Sequence, residues 1–195
     1  MNIGVFGGSF NPVHNGHIKI AQEFIKAAKL DKLIVIPAGE PFYKFNTDMA
    51  PAKDRLNMCK IAFEGIADIS DIEISQKGMS YTCDTLKAVK DMYPEGNIFM
   101  LCGSDVLNSI NYWKNSEEIF NIAKICSFVR PGFDVNKATE EKIKDGIFDA
   151  VVFEADMPDI SSTDVRERIK KGKYISSLVP PNIEKYIAEN NIYKK

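Results

Sequence analysis

Residues 1–17 read MNIGVFGGSFNPVHNGH, and this stretch decides the fold. Ile3 to Phe6 is a short apolar run, Gly7-Gly8-Ser9 turns the chain, and His14-x-Gly16-His17 follows at once. Beyond it, Ala21, Phe24, Ile25 and Ala28 recur at the spacing of one helical face. The order is therefore strand, Gly-rich turn, helix. Both histidines of the chain lie at that turn. Gly7 and Gly8 permit torsions and a close approach that side chains forbid, and the first turn of a helix presents amides without intrahelical acceptors. A phosphate suits such a site, and an imidazole pair beside it can help neutralise the charge. His17 precedes Ala21 by four residues, so it shares the sheet-packing face with its ring left at the rim.

The pattern repeats along the chain. Leu33 to Ile36 reads as a second strand, stopped by Pro37 and Gly39, and a loop runs on to about Met49. A helix follows from Pro51, with Leu56, Cys59, Ile61 and Phe63 as its apolar positions. Ser70 to Ile74 alternates as a half-exposed strand would. Thr82 to Met92 reads as a helix, and Asn97 to Cys102 as a continuous apolar strand suited to the middle of a parallel sheet. Helical signals extend through Ile122. Ile125 to Val129 and Ala150 to Phe153 supply two more strands, around a charged helix near Lys137 to Lys144.

Two helices close the chain. Ser161 or Ser162 can cap the first, which turns Val165 and Ile169 inward and stops at Gly172. Pro180-Pro181 opens the second, with Ile183, Tyr186 and Ile187 as its apolar stripe. Strands alternating with helices predict an α/β fold, a doubly wound parallel sheet whose ligand site lies beyond the C-terminal strand ends. The 195 residues are read as a single domain with a helical part from about 160.

Composition narrows the function. The 27 acidic residues slightly outnumber the 25 Lys and Arg, so no basic footprint for nucleic acid is present and a small diffusible ligand is expected. No apolar run approaches membrane-spanning length, and the chain opens into a strand rather than a charged signal region, so a cytoplasmic protein is expected. Cys59, Cys83, Cys102 and Cys126 are scattered, which argues for reduced, buried thiols over a zinc or redox motif. The opening turn lacks both the dinucleotide G-x-G-x-x-G and the P-loop G-K-[ST]. The histidine pair stands where a P-loop has its lysine.

GGSFNPVHNGH resembles the signature of the nucleotidyltransferase superfamily, which shares H-x-G-H with the class I aminoacyl-tRNA synthetases. Ile160-Ser161-Ser162-Thr163-Asp164-Val165-Arg166 resembles the I-S-S-T-x-I-R element of its small members. A synthetase would be far longer and would carry a lysine-rich loop that Lys77-Gly78-Met79-Ser80 only mimics. The similarity is greatest to the bacterial nicotinate-nucleotide adenylyltransferases. It extends through Ser80-Tyr81-Thr82-Cys83-Asp84-Thr85-Leu86, Gly103-Ser104-Asp105 with Trp113, Arg130-Pro131-Gly132, and the V-P...Y-I...Y ending from Val179 to Tyr193. Where that family usually reads P-P-H-K, this chain has Pro41-Phe42-Tyr43-Lys44: the lysine is kept and the histidine is not.

The resemblance implies a Rossmann-like nucleotidyltransferase fold and transfer of the adenylyl group of ATP to nicotinate mononucleotide. It implies an ATP site made by Gly7, Gly8, Ser9, Phe10, His14, His17, Gly103, Asp105, Ser162, Thr163 and Arg166, with His14, His17 and Arg166 catalytic. Lys44, Tyr81, Thr82, Trp113 and Arg130 would hold the mononucleotide. In this scheme Lys44 meets its phosphate, the Thr82 amide its carboxylate, Trp113 its ring, and Asp105 a ribose. Read without the resemblance, Asp105 could equally cap a helix, and a single tryptophan is more often core. Mg2+ is expected to arrive with ATP, since no carboxylate cluster is evident. The same superfamily with another acceptor (nicotinamide mononucleotide, phosphopantetheine, or a sugar or polyol phosphate with CTP) and a non-catalytic nucleotide-binding regulator are the alternatives. Homo-oligomerisation is left open.

Overall fold

The computed structural model describes residues 1–39, 48–76, 78–107, 109–129, 137–146 and 150–194; the side chains of residues 104, 105, 137–139 and 142 lie outside that description. Six strands form one sheet: β1 (Asn2–Gly8), β2 (Lys32–Pro37), β3 (Asp68–Ile69), β4 (Asn97–Gly103), β5 (Ala123–Val129) and β6 (Ala150–Glu154). Their order is β3-β2-β1-β4-β5-β6. Chain order thus reverses at β1, the condition under which a doubly wound sheet binds ligands past its strand ends.

The chain divides into two compact units. The first comprises residues 1–6, 23–34 and 81–156. There β1 runs parallel to β4 from Asn2↔Asn97 to Phe6↔Leu101, β4 parallel to β5, and β5 parallel to β6. Ile3, Val5, Ile98, Met100, Ile125 and Cys126 are buried, as strands covered on both faces require. Helices α4 (Thr82–Met92) and α6 (Ser116–Ile122) contribute Leu86, Val89 and Ile119 to this core. Their outer rims are tied by Glu118, which pairs with Lys87 at 2.7 Å and accepts from the Cys83 thiol at 3.1 Å. Between β4 and α6 lie the short α5 (Ser104–Leu107) and a 3-10 turn, Ile110–Tyr112; α7 (Lys137–Lys144) precedes β6.

The second unit comprises residues 7–22, 35–80 and 157–195. Helix α1 (Asn15–Ala27) begins here, and α2 (Ala52–Ala62) packs on α9 (Pro181–Glu189). The Tyr186 hydroxyl binds across that contact, donating to Asp54 Oδ1 at 2.9 Å and accepting from Asn57 Nδ2 at 3.0 Å. Phe10, Val13, Met58, Phe63, Val165, Val179, Ile183 and Ile187 fill its core. Helix α8 (Ser162–Lys170) is capped by Ser161, whose hydroxyl accepts from the Asp164 amide at 3.1 Å, and the chain leaves it through Gly172 at φ 64°.

The segment after α2 differs from expectation. Only Asp68–Ile69 is strand, and Ile72–Ser75 forms the short helix α3. Its polar side chains bind locally: the Ser75 hydroxyl donates to Asp71 Oδ2 at 3.0 Å, and the Ser70 hydroxyl accepts from the Ile72 amide at 3.4 Å. Neither face of residues 70–75 is buried, so the alternation has no core to satisfy and the local bonds win. All four cysteines are free and buried. Among the described residues, no helix is long and apolar enough to cross a membrane.

Candidate functional site

The turn after β1 is shaped by its own side chains. Phe10 takes the left-handed conformation at φ 43°, whereas neither Gly7 nor Gly8 has a positive φ, contrary to the expectation that the glycines carry the unusual torsions. Phe10 is fully buried, its ring edge-on to Phe63 at 5.9 Å and to His17 at 5.0 Å. That burial pins a conformation which costs an L-residue about 1–2 kcal/mol.

His14 and His17 stack, with ring centroids 3.7 Å apart and planes 27° from parallel. The His14 amide donates to Nδ1 of His17 at 3.2 Å. An accepting Nδ1 puts the proton of the neutral His17 ring on Nε2. Gly16 makes the stack possible: a Cβ there would come within 3.0 Å of Nδ1 and Cε1 of His14. This is the physical content of the glycine in H-x-G-H. His14 is only 6% exposed, and its Nδ1 has no hydrogen-bond partner among the described residues.

Burial also sets the charge of the pair. It pushes His14 down from 6.5 to about 4, and it lowers His17 well below its usual value, with His14 adding to the effect. In the free protein both rings are therefore neutral at pH 7. The unfolded chain takes up a proton at His14 near pH 6.5 and the folded one only near 4, so stability falls as pH drops through that window. The loss is about 3 kcal/mol for His14. Urea unfolding from pH 7 to pH 4 should show it, and His14→Asn should flatten the profile; an equally steep profile in the variant would assign the loss elsewhere.

Helix α8 supplies the other side chains of this unit. Arg166 donates through Nη1 to the Asn11 carbonyl at 2.8 Å and through Nη2 to the Thr163 hydroxyl at 3.2 Å. Its Nε is buried and has no partner among the described residues. The Ser162 hydroxyl donates to the Pro12 carbonyl at 2.8 Å. Thus Ser162 and Arg166 are fastened to the 10–12 turn that leads to the histidines, and Thr163 is fastened to Arg166. The capping role falls to Ser161, which leaves Ser162 free for this bond.

Two residues of the second unit, Arg55 and Asn11, escaped the site reading. Arg55 is 1% exposed and spends its guanidinium on carbonyls: Ala50 at 3.2 Å, Ser9 at 2.9 Å and Gly39 at 3.1 Å. It is one helical turn from Met58 and Cys59, both fully buried, so helical spacing marks it once Arg is treated as an aliphatic stem with a polar end. Asn11 is buried and accepts on Oδ1 from the Ala50 amide at 2.9 Å and from the Tyr193 hydroxyl at 2.7 Å. Its Nδ2 donates to the Asp48 carbonyl at 3.2 Å. No periodicity could have marked these bonds, since they join residues far apart in the chain.

In the first unit, Tyr81 stands at the N-cap of α4, and its carbonyl accepts from the Asp84 and Thr85 amides at 2.9 and 3.1 Å. Thr82 is the first residue of that helix, where amides lack intrahelical acceptors. The Lys114 ammonium lies 3.7 Å from the centroid of the Tyr81 ring. Trp113 beside it is half-buried rather than enclosed in the core. Gly103 ends β4 and Asp105 lies in α5, its side chain outside the described residues. Lys44, Tyr43 and Arg130 also lie outside them. Among the described residues, no group of three or more His, Cys, Asp or Glu could hold a metal ion.

Comparison with known proteins gives the geometry its setting. The cytidylyltransferase-like family profile matches residues 5–168. A Clostridium botulinum protein (strain Langeland) named "Probable nicotinate-nucleotide adenylyltransferase" is 40% identical over 200 residues, covering 100% of both chains. A Clostridium tetani protein of the same name is 37% identical, covering 97% of this chain and 98% of its own. Among solved structures, a Plasmodium falciparum nicotinic acid mononucleotide adenylyltransferase complexed with NaAD superposes with a TM-score of 0.82 at 22% identity, over 98% of this chain and 97% of that one. The same enzyme complexed with APC gives 0.78 at 22% identity, over 98% and 96%. These two establish the fold, a Rossmann-like α/β one. Since a family profile spans most of the chain and relatives match it end to end, the chain belongs to the cytidylyltransferase-like family and, within it, to the nicotinate-nucleotide adenylyltransferases.

Proposed function

We infer that the protein joins ATP and nicotinate mononucleotide, giving nicotinate adenine dinucleotide and pyrophosphate in NAD biosynthesis, and that the 7–17 turn with α8 holds the triphosphate. The observation that carries this reading is the fastening of Arg166 to the turn that presents the stacked His14 and His17, within one unit. The name shared by the full-length relatives supports the acceptor.

In this reaction a phosphate oxygen of the mononucleotide forms a bond to the α-phosphorus of ATP. The bond from that phosphorus to the bridging oxygen of the β-phosphate breaks, and pyrophosphate leaves with the electron pair. The attacking monoester loses its second proton near pH 6, so it is already a dianion at pH 7 and needs no strong general base. Catalysis is then in-line positioning and stabilisation of charge on the phosphates. His14 and His17 donate hydrogen bonds there, the Gly8, Ser9 and Phe10 amides line the turn, and Arg166 supplies a fixed positive charge. Mg2+ comes with the nucleotide as part of the substrate. The cytoplasm is the compartment we assign.

In the first unit we assign the mononucleotide to Tyr81, Thr82 and Trp113, with the α4 N-terminus favouring its carboxylate. Lys44 and Arg130 keep their proposed roles toward its phosphate and pocket, and Asp105 and Gly103 theirs toward ATP. Offset stacking on Trp113 is worth about 1 kcal/mol. Trp113→Ala should therefore raise KM for nicotinate mononucleotide about fivefold while KM for ATP stays put. An unchanged KM would return Trp113 to a packing role. Phosphorus NMR of the complete reaction tests the function: equal amounts of dinucleotide and pyrophosphate are expected, and orthophosphate with ADP as the only products would refute it.

A further inference from the structure

Tyr193 belongs to a sequence element that the proposed mechanism leaves without a task. It lies within three residues of the end of the chain, well past α9. Its backbone is left-handed, at φ 65°, as is that of Asn191 at φ 51°. Such torsions are uncommon for side-chain-bearing residues and persist where the surroundings hold them. Here the Ile192 amide bonds back to the Ile187 carbonyl at 3.1 Å, and Ile192 is buried. The tail is thereby folded so that the Tyr193 hydroxyl reaches Asn11 Oδ1 at 2.7 Å.

Asn11 is where several restraints converge. Its Oδ1 receives Tyr193 and the Ala50 amide, and its Nδ2 binds the Asp48 carbonyl. Asp48 in turn pairs through its carboxylate with Lys170 of α8 at 2.7 Å. The Asn11 backbone carbonyl is the acceptor that holds Arg166 Nη1 at 2.8 Å. A residue whose side chain is fixed on three partners cannot rotate its own peptide freely, so the carbonyl that aims Arg166 is aimed by the bonds of the Asn11 side chain. One of those three bonds comes from the last residues of the chain.

We propose that Tyr193 is a positioning residue for the triphosphate site: its hydroxyl fixes Asn11, and through the Asn11 carbonyl it fixes the direction of Arg166. Burial raises the Tyr193 pKa above its ordinary value, so the hydroxyl stays protonated and donating throughout the working range. This rests on the assignment of Arg166 to ATP made above, and it adds the C-terminal tail to the site.

Tyr193→Phe removes the hydroxyl and keeps the ring. Affinity for a non-hydrolysable ATP analogue, read by calorimetry, should fall about fivefold, the net worth of one hydrogen bond. KM for ATP should rise by a similar factor, with KM for nicotinate mononucleotide unchanged and the melting temperature close to wild type. In an Arg166→Lys background the same substitution should change ATP affinity less than twofold, because residues acting through one another are not additive. Unchanged ATP affinity in Tyr193→Phe, or a loss fully additive with Arg166→Lys, would overturn the proposal. Analogue binding is readable even in a protein without turnover, so failure of this inference is distinct from failure of the adenylyltransferase reading.

Discussion

His17→Ala should lower turnover about a hundredfold or more, with little change in melting temperature. The ring is oriented before any ligand arrives: it is stacked on His14 at 3.7 Å, edge-on to Phe10 at 5.0 Å, and accepts the His14 amide on Nδ1. A donor held this way needs no reorganisation as charge develops, and loss of one such donor typically costs 10²–10³ in kcat, about 3 to 4 kcal/mol. Because the interaction strengthens toward the transition state, kcat and kcat/KM should fall together. Steady-state rates settle it. Turnover within threefold of wild type would remove His17 from the chemistry and leave it a packing residue.

Arg55→Ala should cost the most stability. Three carbonyls, those of Ser9, Gly39 and Ala50, share one guanidinium that is 1% exposed. Burial lowers the Arg55 pKa from its ordinary value, but a guanidinium remains charged at any working pH. Its removal strands buried acceptors at about 1–3 kcal/mol each, less whatever water recovers. A net loss of about 3–5 kcal/mol follows, a large part of the stability of a typical folded protein. Urea midpoints at constant m would measure it. Arg55→Lys should recover only part, because an ammonium cannot match the fork that serves three acceptors. A loss under about 1 kcal/mol in Arg55→Ala would mean that the backbone at Ser9, Gly39 and Ala50 holds itself.

These two residues also show where the sequence is transparent. The histidines announce themselves, being the only two in the chain and separated by a glycine whose Cβ would strike the His14 ring. Arg55 does not. Its helix was read by the face Leu56, Cys59, Ile61 and Phe63, whereas Arg55, Met58, Cys59 and Ala62 are the buried set. A hydropathy pattern gives a guanidinium no credit for its stem, and a buried charge is stable only with acceptors that lie elsewhere in the chain. Asn11 is hidden for the same reason: its partners are at positions 48, 50, 166 and 193.

Local signals did better where local energies decide. Thr82–Met92 and Lys137–Lys144 match their expected bounds, the helical spacing in each being unopposed. The parallel strands read as continuous apolar runs because both faces are covered. Ser70 to Ile74 is not a strand because alternation carries information only where one face is buried. The left-handed torsion of Phe10 has no local signal either, since a glycine-rich turn points to a glycine for that conformation.

Neutral imidazoles refine the picture of the phosphate site. Two histidines beside a triphosphate suggest charge neutralisation, yet burial leaves both uncharged at pH 7 in the free protein. The permanent positive charge among the proposed catalytic residues is Arg166. In the proposed reaction the histidines serve as aimed donors, and the Gly16 contact and the His14 amide do the aiming.

Adenylyl transfer to a nicotinate-type acceptor is the central proposed step. Its most direct test is the initial rate of pyrophosphate release from ATP and Mg2+ with nicotinate mononucleotide, nicotinamide mononucleotide or phosphopantetheine as acceptor. The account predicts release with nicotinate mononucleotide far above the other two, at a rate that collapses in His17→Ala. Equal or greater release with either rival acceptor, or ATP binding with no release under any of the three, would contradict it.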